Sequence, residues 1–141
     1  YADERIRKNN RGCTLKITSL YGSVLLPADI EREAEAEVLE RAPEALPATL
    51  LVAPHHGSKT SSTEAFIRQI NPSIVIFTAG YRNHFGHPRP EVVERYRMLG
   101  SRMYRSDSDG AVLLRFEKES GFKLQTWRQE RRRYWQEFSY L

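Results

Sequence analysis

The sequence predicts an α/β domain, and three observations carry that expectation. Apolar runs of strand length alternate with stretches whose apolar residues recur at helical spacing. Pro, Gly and Asn pairs punctuate the boundaries. After the third alternation only strand-like runs follow, so layers of strands and helices should finish in hairpins.

Taken in order, the first eleven residues are charged and polar and read as a linker. Leu15-Lys16-Ile17 and Ser23-Val24-Leu25-Leu26, on either side of Tyr21-Gly22, predict two strands joined by a hairpin. Asp29 follows at once, placed to cap a helix over residues 30–41, in which Ile30, Ala34, Val38 and Leu39 share a face. Pro43 and Pro47 end that helix. A strand over 48–53 leads into a polar loop and then a helix over 62–70, with Ser61 or Ser62 as its N-cap and Asn71-Pro72 as its stop. The continuous apolar run over 73–78 predicts a strand covered on both faces. Pro90 opens a helix over 91–99, and a short strand covers 102–105. Asp109-Gly110 marks a turn before a strand over 111–116, and Gly121 precedes a last one over 122–127.

The chain has 141 residues, 40% hydrophobic and 28% charged, which suits one globular domain with a real core. No apolar run approaches the roughly 18 residues of a membrane span, and no signal peptide is visible, so a soluble chain is expected. A single cysteine, Cys13, excludes an internal disulfide and a cysteine-rich zinc site; its strand-like setting predicts a small buried hydrophobe. Net charge is +4. Much of the excess lies in Arg128, Arg131, Arg132 and Arg133, interleaved with Trp127, Tyr134, Trp135 and Phe138, so residues 128–141 read as a basic aromatic tail behind a domain of residues 1–127. Guanidinium groups beside aromatic rings suit phosphate pairing and base stacking. The same composition also suits a tail that packs its rings on a neighbouring domain.

The chemistry concentrates in two loops. His55 and His56 directly follow one strand, and His84 and His87 lie in the loop after the next. Open α/β sheets bind ligands beyond the carboxyl ends of their strands, and Asp29, His55, His56 and His87 would all open there if their strands are neighbours. One carboxylate with two or more imidazoles is a plausible set for zinc or manganese. Asp29 could equally be only the helix cap, and the histidines only solvated loop residues. Ser58, Lys59 and Thr60 add hydroxyls and an ammonium before a helix start, suited to a phosphate oxygen or to ordinary capping. The glycine spacing of a Walker loop is absent.

The segments Ala28-Asp29-Ile30, Pro54-His55-His56-Gly57-Ser58-Lys59-Thr60-Ser61-Ser62 and Asn83-His84-Phe85-Gly86-His87-Pro88 together resemble the C-terminal half of the metallo-β-lactamase-like domain of ComEC-type DNA-internalisation competence proteins. The resemblance implies a partial αββα sandwich with a two-metal centre. Asp29 would bridge the ions, although Pro27-Ala28 replaces the usual Thr-Gly before it. It further implies that His55 and His56 contact metal or phosphate, His56 and His87 serve the reaction, and Ser58, Lys59, Thr60 and Asn83 hold substrate. Asp107 and Asp109 would take a supporting or turn role. The family's principal His-x-x-x-Asp-His cluster has no counterpart here, and the chain begins at Tyr1 without an initiator methionine. A fragment lacking its partner half, inactive alone, is therefore expected, with a natural member carrying a degraded site as the alternative. The implied setting is a metal-dependent nuclease or phosphodiesterase domain behind a membrane channel, on the outer face of a bacterial inner membrane, acting on single-stranded DNA. The alternatives are a non-catalytic module that guides DNA and a hydrolase of another phosphodiester.

Overall fold

The computed structural model describes residues 8–131. Five strands form one sheet in the order β1 (Leu15–Ser19), β2 (Gly22–Leu26), β3 (Leu50–Val52), β4 (Ile74–Phe77) and β5 (Arg102–Arg105). β1 and β2 are an antiparallel hairpin, and β2 through β5 run parallel. Three crossover helices connect the parallel strands: α1 (Arg32–Arg41), α2 (Glu64–Ile70) and α3 (Pro90–Met98). Right-handed crossovers between strands taken in sequential order place all their helices on one face. The core agrees with that geometry. Leu25, Leu51, Val75 and Phe77 are buried in one cluster with Ala34 of α1, Phe66, Ile67 and Ile70 of α2, and Val92, Val93 and Tyr96 of α3. Each of the Val, Leu, Ile and Phe side chains among them stabilises the fold by about 1.5–3 kcal/mol through removal from water.

Residues of opposite parity face away from the helices. A second, two-stranded sheet, β6 (Val112–Glu117) with β7 (Gly121–Thr126), lies on that side. Phe116 packs so closely on Gly22 that a Cβ there would stand 2.2 Å from its ring. The Arg102 guanidinium lies 5.2 Å from the centre of the Phe122 ring. The order is helices, sheet, hairpin. Leu15 and Ile17 of the edge strand β1 pair with Leu26 and Val24 and stay 53% exposed, so the hairpin covers only part of this face.

Several sequence expectations change for identifiable reasons. Residues 8–11 are not linker but a 3-10 turn, because Asn10 accepts the Glu31 N–H and Asn9 donates to the Glu31 carboxylate. Asp29 caps nothing. Helix α1 starts later, at Arg32, whose N–H is taken by the Thr60 carbonyl. Neither Ser61 nor Ser62 is an N-cap: α2 begins at Glu64, and the donors ahead of it go to a carboxylate of another helix, Glu35. Cys13 is exposed, since it lies ahead of β1 rather than inside it. Short helix α4 (Ser106–Asp109) occupies the segment before the expected turn, and α5 (Trp127–Glu130) takes over the last residue of the strand expected over 122–127. Asp109 still shapes the turn by accepting the Arg105 N–H, while Asp107 pairs with the Arg105 guanidinium. Arg132, Arg133, Tyr134, Trp135 and Phe138 of the expected tail lie outside the described residues.

Candidate functional site

Because β2, β3 and β4 are parallel neighbours, the segments leaving them open on one rim. Asp29 follows β2, His55 and His56 follow β3, and the loop carrying His84 and His87 follows β4. The His55 N–H donates to the Ala28 carbonyl, which ties the first two segments together. The backbone is bent sharply here: Ala28, His55 and His56 have φ of 55°, 48° and 56°, in the left-handed region. Side chains other than glycine occupy that region at a cost of order 1 kcal/mol or more each, and such residues concentrate at functional sites. The bend is what turns both imidazoles out of the strand direction and onto the rim.

His56 is half exposed. Its Nε2 lies 3.5 Å from Asp29 Oδ1, and its Nδ1 is 3.0 Å from the Thr78 hydroxyl at the end of β4. His55 is more enclosed, with Nδ1 3.5 Å from the buried Glu31 carboxylate and 3.4 Å from Thr60 Oγ1, and Nε2 3.5 Å from Asn9 Nδ2. Its ring stands 5.9 Å from that of His87. His87 Nδ1 is buried with no hydrogen-bond partner among the described residues. Burial, with the charges of His55, Arg89 and His56 adding, pulls His87 below the usual histidine range, which keeps it neutral at pH 7. Phe85 stacks on His87 at 5.8 Å, and His84 lies 3.8 Å from Phe85.

The other expected site residues divide. The Ser58 and Thr60 hydroxyls bond each other, and Thr60 in turn faces His55, so they orient a ring; Lys59 is exposed. The N–H groups ahead of α2 are occupied by Glu35 rather than open to an anion. Asn83 uses its amide internally, donating to Gly80 and His87 carbonyls and accepting the His87 N–H. Arg128 donates to the Ser108 carbonyl, and the Arg131 guanidinium lies 4.4 Å over the Trp127 ring, both far along the chain from the rim segments. Asn9, Glu31 and Thr78 were not expected from the sequence. Thr78 closes the apolar run of β4 with a hydroxyl and so carried a local signal; Asn9 and Glu31 carried none.

Carboxylate and imidazole suit a divalent ion, but the number falls short. Among the described residues no group of three or more His, Cys, Asp or Glu side chains is arranged to hold a metal. What is present fits part of a coordination shell, not a whole one.

No family model matches the chain. It is 33% identical over 120 residues to ComE operon protein 3 of Bacillus subtilis and 32% identical over 122 residues to the uncharacterised protein YcaI of Escherichia coli. Those alignments cover 85% and 86% of this chain but only 15% and 16% of the relatives. Competence protein ComA of Neisseria gonorrhoeae is 29% identical over 77% of the chain and 16% of its own length. The chain thus spans about a sixth of the length of the curated relatives it matches. With about 30% identity sustained over most of its residues, the chain belongs to the ComEC-type competence protein family, as one domain-sized part of it.

Proposed function

We propose that this chain supplies one half of a metal-dependent phosphodiesterase site that acts on single-stranded DNA during uptake by a larger competence protein. The observation that carries the reading is the run of contacts along one strand-end rim, from Asp29 to His56, His56 to His55 and His55 to His87. Names of relatives that refer to competence point to DNA as the polymer. Zinc or manganese, when bound, polarises phosphoryl oxygens and lowers the pKa of bound water. The chain's own residues do the rest: Asp29 presents a carboxylate, Thr78 fixes the ring of His56, Glu31 and Thr60 fix that of His55, and neutral His87 accepts a hydrogen bond. The remaining ligands come from the rest of the polypeptide. The partly open sheet face at Leu15 and Ile17 supports a sandwich completed by another segment, as the αββα resemblance implies. No helix among the described residues is long and apolar enough to cross a membrane; the proposal has other segments hold the domain at the outer face of an inner membrane.

The test is manganese-dependent hydrolysis of single-stranded DNA by the full-length protein. Asp29→Ala should lower the rate by more than about a hundredfold, beyond the range typical for groups one step removed from an ion. Unchanged hydrolysis would remove the bridging role. A second reading, a non-catalytic module that guides DNA, draws on the Arg131–Trp127 stack. Salt-sensitive, metal-independent affinity without cleavage, lost on deleting residues 128–141, would favour it.

A further inference from the structure

The loop after β4 presents a surface that the hydrolase reading leaves unused. Its aromatic side chains are turned to water: Phe85 is 58% exposed and Tyr81 70% exposed. Phe85 borders the rim through its contact with His87, and Tyr81 belongs to the same loop. Five rings, those of His84, Phe85, His87, His55 and His56, form a continuous run, each centre within 6.4 Å of the next. Phe85 and His87 are near parallel, at 13°. In the same loop the Arg82 guanidinium lies 5.3 Å from the centre of the Tyr81 ring. The loop is braced rather than loose, because the Asn83 amide ties Gly80 to His87 from both its ends.

Exposed rings in a fixed array next to basic groups match a ligand whose flat apolar face lies a short distance from a negative charge. A nucleobase on its phosphate has that form, and any base can stack on such a ring without being read. Arg82 and Arg89 belong to the same loop, and Lys59 to the loop of His55 and His56, so the two loops carry positive charge complementary to the phosphates of such a strand. A base paired inside a duplex offers no free face, so the array selects for unpaired strands.

Resting on the phosphodiesterase reading, we infer that Phe85 and Tyr81 form a base-stacking platform. It seats one or two bases of an unpaired DNA strand and so delivers the neighbouring phosphate to the rim of Asp29, His56 and His87. The platform confers preference for single strands over duplex without sequence preference.

The experiment measures anisotropy of two labelled strands of equal length, oligothymidylate and its abasic counterpart, with the full-length protein. Thymidylate should bind at least about fivefold more tightly, the low end of what one stacked base contributes. Phe85→Ala with Tyr81→Ala should bring thymidylate affinity down to that of the abasic strand, and Phe85→Trp should preserve the preference. Equal binding of the two strands by the native protein, or a preference that survives the double alanine variant, overturns the platform. Manganese-dependent cleavage, followed on the abasic strand in parallel, separates the two ideas. Cleavage with equal binding sinks the platform alone; a base preference that depends on Phe85, without cleavage, supports the platform and sinks only the hydrolase reading.

Discussion

The two loops that carry the histidines meet at one rim yet are held in opposite ways. The loop over residues 54–63 is clamped from within. Ser61 donates to the Pro54 carbonyl, Glu35 of α1 takes the Ser62 and Thr63 N–H groups, and Arg95 of α3 donates to the Ser61 and Ser62 carbonyls. Tyr96, fully buried, adds a hydrogen bond to Ser62 Oγ. The loop over residues 80–89 is braced by Asn83 and leaves its rings in water. One wall spends its polar groups on fixing His55 and His56; the other keeps its aromatic groups for whatever arrives. A site that needs fixed ligands on one side and an adaptable, sequence-blind contact on the other would be built this way.

The largest test of that contrast is the point where the loops touch. Gly57 has a φ of 82°, and a Cβ there would lie 2.6 Å from Pro88 Cβ and 2.9 Å from Phe77 Cδ1. Gly57→Ala should therefore destabilise the fold by on the order of 3 kcal/mol, summing left-handed strain and overpacking. A urea midpoint unchanged by this substitution would show that the loops do not support each other.

Next comes the clamp. Glu35→Ala leaves one buried and one part-buried N–H donor without an acceptor, which should destabilise by about 2 kcal/mol in urea unfolding. Glu35→Gln separates shape from charge. Burial holds the Glu35 carboxyl above its ordinary range, against the hydrogen bonds from Thr63 and Ser62 and the Arg95 charge, which pull it down. The folded chain thus keeps a proton that the unfolded chain releases. Stability from this group is whole below the ordinary glutamate value and shrinks as pH rises through the folded one. Glutamine cannot titrate, so the difference in stability between the two proteins should move in favour of Glu35→Gln across that window. A difference that stays flat with pH would show that the charge on Glu35 does not matter.

The smallest effect belongs to the outer loop. Asn83→Ala removes three side-chain hydrogen bonds from a part-exposed loop and should lower its local opening free energy by about 1 kcal/mol. Faster amide exchange at His87, with the global urea midpoint unmoved, is the expected result. Loss of global stability instead would mean that this loop too belongs to the clamp.

Much of the frame was legible beforehand. The apolar runs at β3 and β4, the Pro90 helix start and the Tyr21-Gly22 hairpin each rest on local chemistry that the chain states within a few residues. Caps were misread because the partners of the helix-start donors come from far along the chain: Glu35 serves Ser62 and Thr63, and the Thr60 carbonyl serves Arg32. Cys13 lies just ahead of β1, and that small offset from a strand-like run is enough to leave it on an exposed approach rather than in a buried strand position.

By itself, the order of residues determined which groups follow which strand: a carboxylate after β2, twin imidazoles after β3, a third imidazole after β4. It could do so because strands and their exits are specified by short-range pattern. Only the tertiary structure decided that Asp29 faces His56, that Glu31 and Asn9 enclose His55, and that Phe85 extends the histidines into one run of rings. Those outcomes depend on parallel pairing across long sequence separations and on left-handed turns that aim each side chain, and no local pattern encodes either.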